Sequence, residues 1–218
     1  MKTVFFDLDG TILDTLEDLK NAVNHALNFY NYPLKDLEFV RKAIGNGTQV
    51  LIRRCAPDGI DESRYLEVFN CFKIYYLYHY SDYTRAYAGV RELLELLKGK
   101  CILVVVSNKD NDLTQKLINK EFPGLFDVIQ GSYFDKPKKP DPFLINSIIE
   151  SHHLDKNDCL YIGDTDVDKQ SAVNACLDYR LVSYGYRTAE ELEKMCPNDT
   201  PFASVNELAN YLLKWVNL

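Results

Sequence analysis

Long apolar runs are missing from this 218-residue chain. No stretch approaches the roughly 20 apolar residues of a membrane-spanning helix, so a helical membrane protein is excluded. Lys2 leads at once into a short apolar run, and the chain reads as having no signal peptide. Basic charge is also short. Against 32 Asp and Glu stand 25 Lys and Arg, a formal net charge of -7 at pH 7. A general nucleic-acid binder needs an extended basic face, and only the cluster Lys136-Pro137-Lys138-Lys139 is locally basic. The six cysteines (55, 71, 101, 159, 176 and 196) form no C-x-x-C pair and no zinc spacing. Cys101 and Cys159 open apolar runs and read as small buried hydrophobes, so disulfides are not expected. These absences make a reducing, cytoplasmic setting the simplest expectation. Internal repeats and low-complexity tracts are missing too.

What is present is a 46% hydrophobic chain, enough for a well-buried core in one domain or in one domain with an insertion. Val4-Phe5-Phe6 reads as a strand running into Asp7-Leu8-Asp9-Gly10-Thr11. Leu16, Leu19, Val23, Ala26, Leu27 and Tyr30 then recur at helical spacing, with Asp14 as N-cap. No strand signal follows between Thr15 and Tyr83. Instead, helices are predicted near Lys35–Lys42, Thr48–Cys55 and Asp61–Ser81. From Ala88 onward strands and helices alternate, with strands at Cys101–Val106, Val128–Gln130, Cys159–Ile162 and Tyr179–Val182. The apolar run Cys101–Val106 suits a strand buried on both faces of a parallel sheet. The expected fold is α/β: a doubly wound, Rossmann-like parallel sheet core (residues 1–14 and 87–218) with a small all-helical block (15–86) inserted after the first strand.

In open parallel sheets, ligands bind beyond the carboxyl ends of the strands. Polar residues gather at that edge: Asp7 and Asp9 after the first strand, Ser107 and Asn108 after the second, Asp164 and Asp168 after another. Lys139 lies on the loop following a fourth. Lys136-Pro137 and Lys139-Pro140 both offer a Lys-Pro pair, but only Lys139 is followed by Pro-Asp-Pro and a helix. Several carboxylates without His or Cys suit a hard, oxygen-seeking cation, with Mg²⁺ the first choice. A hydroxyl, a carboxamide and an ammonium beside it complete an anion site for phosphate. Such a set permits phosphoryl transfer, with Asp7 attacking phosphorus, Asp9 moving protons, and Ser107 and Lys139 holding the phosphoryl oxygens.

These residues resemble the haloacid dehalogenase-like hydrolases, and more closely their phosphoglycolate phosphatase-like branch with a helical cap. Asp7-Leu8-Asp9-Gly10-Thr11 is similar to the first family motif and Ser107 to the second. Lys139-Pro140-Asp141-Pro142 is similar to the third, and Gly163-Asp164-Thr165-x-x-Asp168 to the fourth. The resemblance covers nearly the whole chain. It implies Asp7 as nucleophile, Asp9 as general acid/base, and a metal held by Asp7, Asp9 (through its carbonyl), Asp164 and Asp168, the last directly or through water. Thr11 and Asn108 are expected near the phosphate. Gly45-Asn46-Gly47, like the glycine loop of that branch, is either a substrate-facing loop or a plain interhelical turn. The helical block is then a cap that closes over a small phosphorylated metabolite. The second Asp argues for phosphoryl over dehalogenase chemistry. Leu19 stands where related sugar-phosphate mutases carry His. Relatives usually end the fourth-motif helix in Gly, whereas this chain has Cys176.

The resulting expectation is a Mg²⁺-dependent phosphatase of phosphoglycolate-like monoesters, a monomer or homodimer without nucleic-acid or membrane partners. Inorganic pyrophosphatase, nucleotide monophosphatase and sugar-phosphate mutase are the alternatives within the family. A non-catalytic module that binds Mg²⁺ and phosphate is the alternative outside enzymes. Tyr75-Tyr76-Leu77-Tyr78-His79-Tyr80 reads as packing surface rather than a substrate box, and His79 and His152-His153 as surface or satisfied interior rather than ligands.

Overall fold

The computed structural model describes residues 1–217. In chain order the elements are β1 (Thr3–Phe6), β2 (Leu13–Asp14), α1 (Leu16–Phe29), α2 (Leu37–Ala43), α3 (Thr48–Cys55) and α4 (Glu62–His79). Then come β3 (Arg85–Ala86), α5 (Val90–Leu97), β4 (Ile102–Asp110), α6 (Asn111–Glu121), β5 (Val128–Ser132) and α7 (Phe143–Ser151). The chain closes with β6 (Cys159–Gly163), α8 (Asp166–Ala175), β7 (Asp178–Leu181), α9 (Ala189–Met195) and α10 (Val205–Trp215). None of these helices is long and apolar enough to cross a membrane. Two compact units result, Met1–Leu13 with Ala86–Leu218, and Asp14–Arg85.

The first unit is built on a five-stranded sheet in the order β5-β4-β1-β6-β7. All of its pairings are parallel, with Phe5 opposite Val104 on one side and Tyr161 on the other. Every residue of β1 is buried, because helices cover both faces of the sheet. One face packs Phe5, Val104, Val106 and Tyr161 against Leu144, Ile145 and Ile148 of α7 and Ala172 and Ala175 of α8. On the other, the ring of Phe6 meets Phe126 edge-on at 6.2 Å. The order reverses around β1, so its carboxyl end, flanked by those of β4 and β6, is the topological switch point where this architecture binds ligands.

The second strand runs further than its apolar stretch suggests. β4 continues through Ser107, Asn108 and Lys109 to Asp110, with a register irregularity against β5 between Val106 and Asp110. The apolar run ends at Val106 because the residues beyond it carry the polar edge rather than the core. The Ser132 hydroxyl donates to the Asn108 carbonyl at 2.8 Å and holds this extension.

α8 ends on Cys176, which sits at φ 59 and ψ 44 in the left-handed region and is exposed. An L-residue is strained there. Cys176→Gly is expected to raise stability by about 0.5–1 kcal/mol, read as an increased urea midpoint with unchanged slope.

In the helical unit, α4 carries a column of stacked rings, Tyr65–Phe69, Phe69–Phe72 and Phe72–Tyr76, with centroids 6.1, 6.4 and 5.4 Å apart. These four side chains are buried, so this part of the helix's aromatic richness is core, while Tyr78 is exposed. α1 starts one residue later than its acidic signal suggests. Thr15 is its N-cap, while Asp14 accepts a hydrogen bond from the Leu16 N–H at 3.2 Å. Buried Asp18 accepts from the Thr84 N–H at 2.8 Å, the Thr84 hydroxyl at 2.7 Å and the Tyr83 N–H at 3.0 Å. These bonds tie the beginning of the helical segment to its end.

Candidate active site

β1 stops at Phe6, and the chain folds over itself just beyond. The Leu8 carbonyl accepts hydrogen bonds from the N–H groups of Thr11, Ile12 and Leu13 at 3.3, 3.1 and 3.0 Å. Gly10 turns this loop at φ 91, and a Cβ there would lie 2.3 Å from an Asp164 carboxylate oxygen, so only glycine permits the approach. Because Asp7 and Asp9 lie past the strand, strand alternation does not set their directions. Each is met by its own lysine.

Asp7 is tied to β6 through its N–H, which donates to the Ile162 carbonyl at 2.9 Å. Its carboxylate accepts from Lys139 Nζ at 2.6 Å. The same ammonium donates to Asp168 Oδ1 at 2.7 Å and to the Tyr161 hydroxyl at 3.0 Å. Lys139 is buried on the loop before α7, and Asn108 fixes its backbone from both sides. The Asn108 amide donates to the Lys139 carbonyl at 3.0 Å and accepts from the Lys139 N–H at 2.8 Å. The other oxygen of Asp168 accepts from the Thr165 hydroxyl at 2.6 Å and from the Thr165 and Asp164 N–H groups. Thr165 caps α8, so the capping box of that helix also orients Asp168. Asp164, fully buried, accepts from the Thr11 hydroxyl at 3.3 Å and the Tyr186 N–H at 2.7 Å.

Carboxylate oxygens of Asp7, Asp164 and Asp168 lie within 4.8 Å of one another. Burial pushes the Asp7 carboxyl up to about 7; Lys139 opposes this, and the charges of Asp168 and Asp9 add to it. Asp164 is raised well above the usual carboxylate range by burial first, then by Asp168 and Asp7. Burial works against the Lys139 charge, but Asp168 and Asp7 more than offset it and hold its ammonium well above the ordinary value. Of the three buried acids, Asp7 and Asp168 share one lysine, and Asp164 stands beside them without it. Their all-oxygen donor set fits a hard divalent cation, which would relieve the repulsion that burial magnifies.

This arrangement has a thermal consequence. A carboxyl raised from 3.8 to about 7 on folding costs stability as pH rises through that interval, and the cost persists above it. Mg²⁺ is therefore expected to raise the melting temperature above pH 7, and the rise is expected to shrink toward pH 5, where protons compete for Asp7. Scanning fluorimetry across pH, with and without the ion, checks this.

Asp9 does not join the three-carboxylate cluster. Its Oδ1 accepts from Lys109 Nζ at 2.8 Å. Buried Ser107 accepts from the Lys109 N–H at 3.1 Å through its hydroxyl oxygen. Thr11 and Asn108, expected beside phosphate, direct their side chains to Asp164 and to the Lys139 backbone. Gly45 and Gly47 lie in the helical unit, in the turn between α2 and α3. Arg54 braces that turn by donating to the Ala43 carbonyl at 2.8 Å and to Asn46 at 3.0 Å.

Sequence reasoning assigned no role to Lys109, Tyr161, Thr165 or the Tyr186 N–H. Lys109 directly follows Ser107-Asn108, and Tyr161 is the one hydroxyl in an otherwise apolar strand; these were the available signals. Nothing in the sequence marks the backbone of Tyr186.

Comparison with known proteins gives the family. The family model for haloacid dehalogenase-like hydrolases matches residues 4–182. A phosphoglycolate phosphatase from Vibrio cholerae is 32% identical over 208 residues, covering 91% of each chain. One from Aquifex aeolicus is 32% identical over 188 residues, covering 85% of this chain and 86% of its own. A crystal structure of a predicted phosphoglycolate phosphatase from Haemophilus somnus superposes with a TM-score of 0.88 at 28% identity, covering 97% of this chain and 98% of that one. The chain belongs to the haloacid dehalogenase-like hydrolase family. Within it, the chain is an enzyme of the phosphoric monoester hydrolase class.

Proposed function

We propose that this enzyme hydrolyses a small phosphorylated metabolite, with 2-phosphoglycolate the leading candidate, through an aspartyl phosphate on Asp7. The observation that carries the reading is the division of labour at the end of β1. Asp7 is linked through Lys139 to Asp168 and stands among acidic groups, while Asp9 is held apart by Lys109. The substrate class follows from the likeness to phosphoglycolate phosphatases.

In the first step an oxygen of Asp7 attacks phosphorus, the bond from phosphorus to the leaving oxygen breaks, and that oxygen takes a proton from Asp9. In the second, water attacks the aspartyl phosphate and gives its proton to Asp9, and Asp7 leaves as carboxylate. Lys139 and Ser107 bind phosphoryl oxygens, and Lys139 keeps Asp7 in place between turnovers. Asp7, Asp164 and Asp168 would hold Mg²⁺, which when bound neutralises charge on the transferring group.

A phosphate-release screen over small phosphorylated metabolites tests the reading. Turnover of phosphoglycolate with Mg²⁺, abolished by chelation, is the expected result. Preference for pyrophosphate or nucleoside monophosphates would redirect the substrate assignment. Isomerised sugar phosphate without phosphate release would overturn hydrolysis.

A further inference from the structure

Lys109 is placed with unusual care for a lysine. Its side chain is 2% exposed and its partner Asp9 is 15% exposed. Its backbone is fixed on several sides. The N–H donates to Ser107 Oγ at 3.1 Å, and its carbonyl accepts from the Ser132 hydroxyl at 3.2 Å and the Thr114 hydroxyl at 3.4 Å. The ammonium is therefore positioned by the sheet rather than by a mobile tip. Removing an ion pair from water is expensive, and an apolar residue in such a position is often as stable or more so. A buried ammonium at this edge calls for a task beyond stability.

The task follows from what Asp9 does in the proposed reaction, on which this inference rests. Asp9 must face the leaving oxygen to give it a proton. Lys109, at 2.8 Å from Asp9, then lies within one hydrogen bond of the group that meets the leaving oxygen. In a phosphoglycolate-type ester, the carbon that bears this oxygen also bears a carboxylate. A substrate seated with its leaving oxygen at Asp9 and its carboxylate turned to Lys109 would set two anions around one ammonium. An ammonium has three donors, so one lysine can serve Asp9 and a second anion together.

We propose that Lys109 is the specificity-determining residue of this site, selecting esters whose leaving alcohol carries an anionic group by bonding that group and Asp9 with one ammonium.

The test compares two substrates that differ only at that group, 2-phosphoglycolate and 2-hydroxyethyl phosphate, with saturating Mg²⁺. The wild type is expected to prefer phosphoglycolate. In Lys109→Met the ratio of kcat/KM values for the two esters should fall by about 10- to 100-fold, mostly through the KM for phosphoglycolate. Disturbance of Asp9 lowers both rates and cancels in the ratio. Lys109→Arg keeps the cation and should retain part of the preference, which guards against a Met variant that folds poorly. Equal losses on both esters, or a wild type without preference, would overturn the proposal while leaving the phosphatase reading intact. A wild type that hydrolyses neither ester would defeat the phosphatase reading itself, and this proposal with it.

Discussion

Asp7→Asn is expected to lower phosphate release by at least ~10³-fold, as removal of a nucleophile does elsewhere. The substitution is nearly isosteric, and the hydrogen bond from Lys139 has an amide oxygen to meet. What disappears is the charge that attacks phosphorus. The same change should stabilise the metal-free protein above pH 7, because the wild-type carboxyl, raised to about 7 by burial, is ionised there at a cost. Loss of activity with a raised melting temperature separates a missing nucleophile from a damaged fold. The difference should narrow as pH falls from 7 and vanish only near pH 4, where the carboxyl is protonated in the folded and the unfolded chain alike.

Lys139→Met is the second large effect, and it should act on both activity and stability. The Lys139 side chain is 2% exposed and bridges Asp7 at 2.6 Å and Asp168 at 2.7 Å. Removing it leaves the Asp7 and Asp168 carboxylates beside Asp164 without the cation that pairs them, and only Asp168 keeps its hydrogen bonds from Thr165 and the Asp164 N–H. Breaking a buried ion pair from one side costs about 3–5 kcal/mol. The loss should be largest at high pH without a divalent cation, and Mg²⁺ should recover part of it. Turnover should fall as well, because the variant lacks the ammonium that holds Asp7 and would meet a phosphoryl oxygen. Chemical denaturation with and without Mg²⁺, alongside phosphate release, measures both parts.

Much of the α/β architecture was legible because its strands are apolar runs separated by amphipathic helices. Thr48–Cys55 appears as a helix with the bounds its periodicity suggests. The two-residue strands β2 and β3 carry no periodicity at all, so sequence reasoning passed over them. β4 was cut short at Val106, since a polar extension reads as a loop until a neighbouring strand is seen to pair with it.

The site was legible as a set of residues rather than as a network. Spacing brought Asp7, Lys139, Asp164 and Asp168 to one sheet edge, but it could not say which carboxylate each lysine serves. Asp9 illustrates this. The family resemblance implies that Asp9 meets a metal through its carbonyl and not its side chain, but nothing in the sequence names Lys109 as the partner of that side chain. Thr11 and Asn108 read equally well as phosphate ligands from sequence. Their short side chains are instead committed to Asp164 and to the Lys139 backbone, and such long-range pairings leave no local pattern.

The central claim is that phosphate passes through Asp7, and rapid acid quench with ³²P-labelled 2-phosphoglycolate and Mg²⁺ tests it most directly. The predicted result is a burst of protein-bound label, released by hydroxylamine, on the peptide that contains Asp7 and missing from Asp7→Asn. Full turnover in the wild type with label on a different residue, or undiminished turnover in Asp7→Asn, would contradict it.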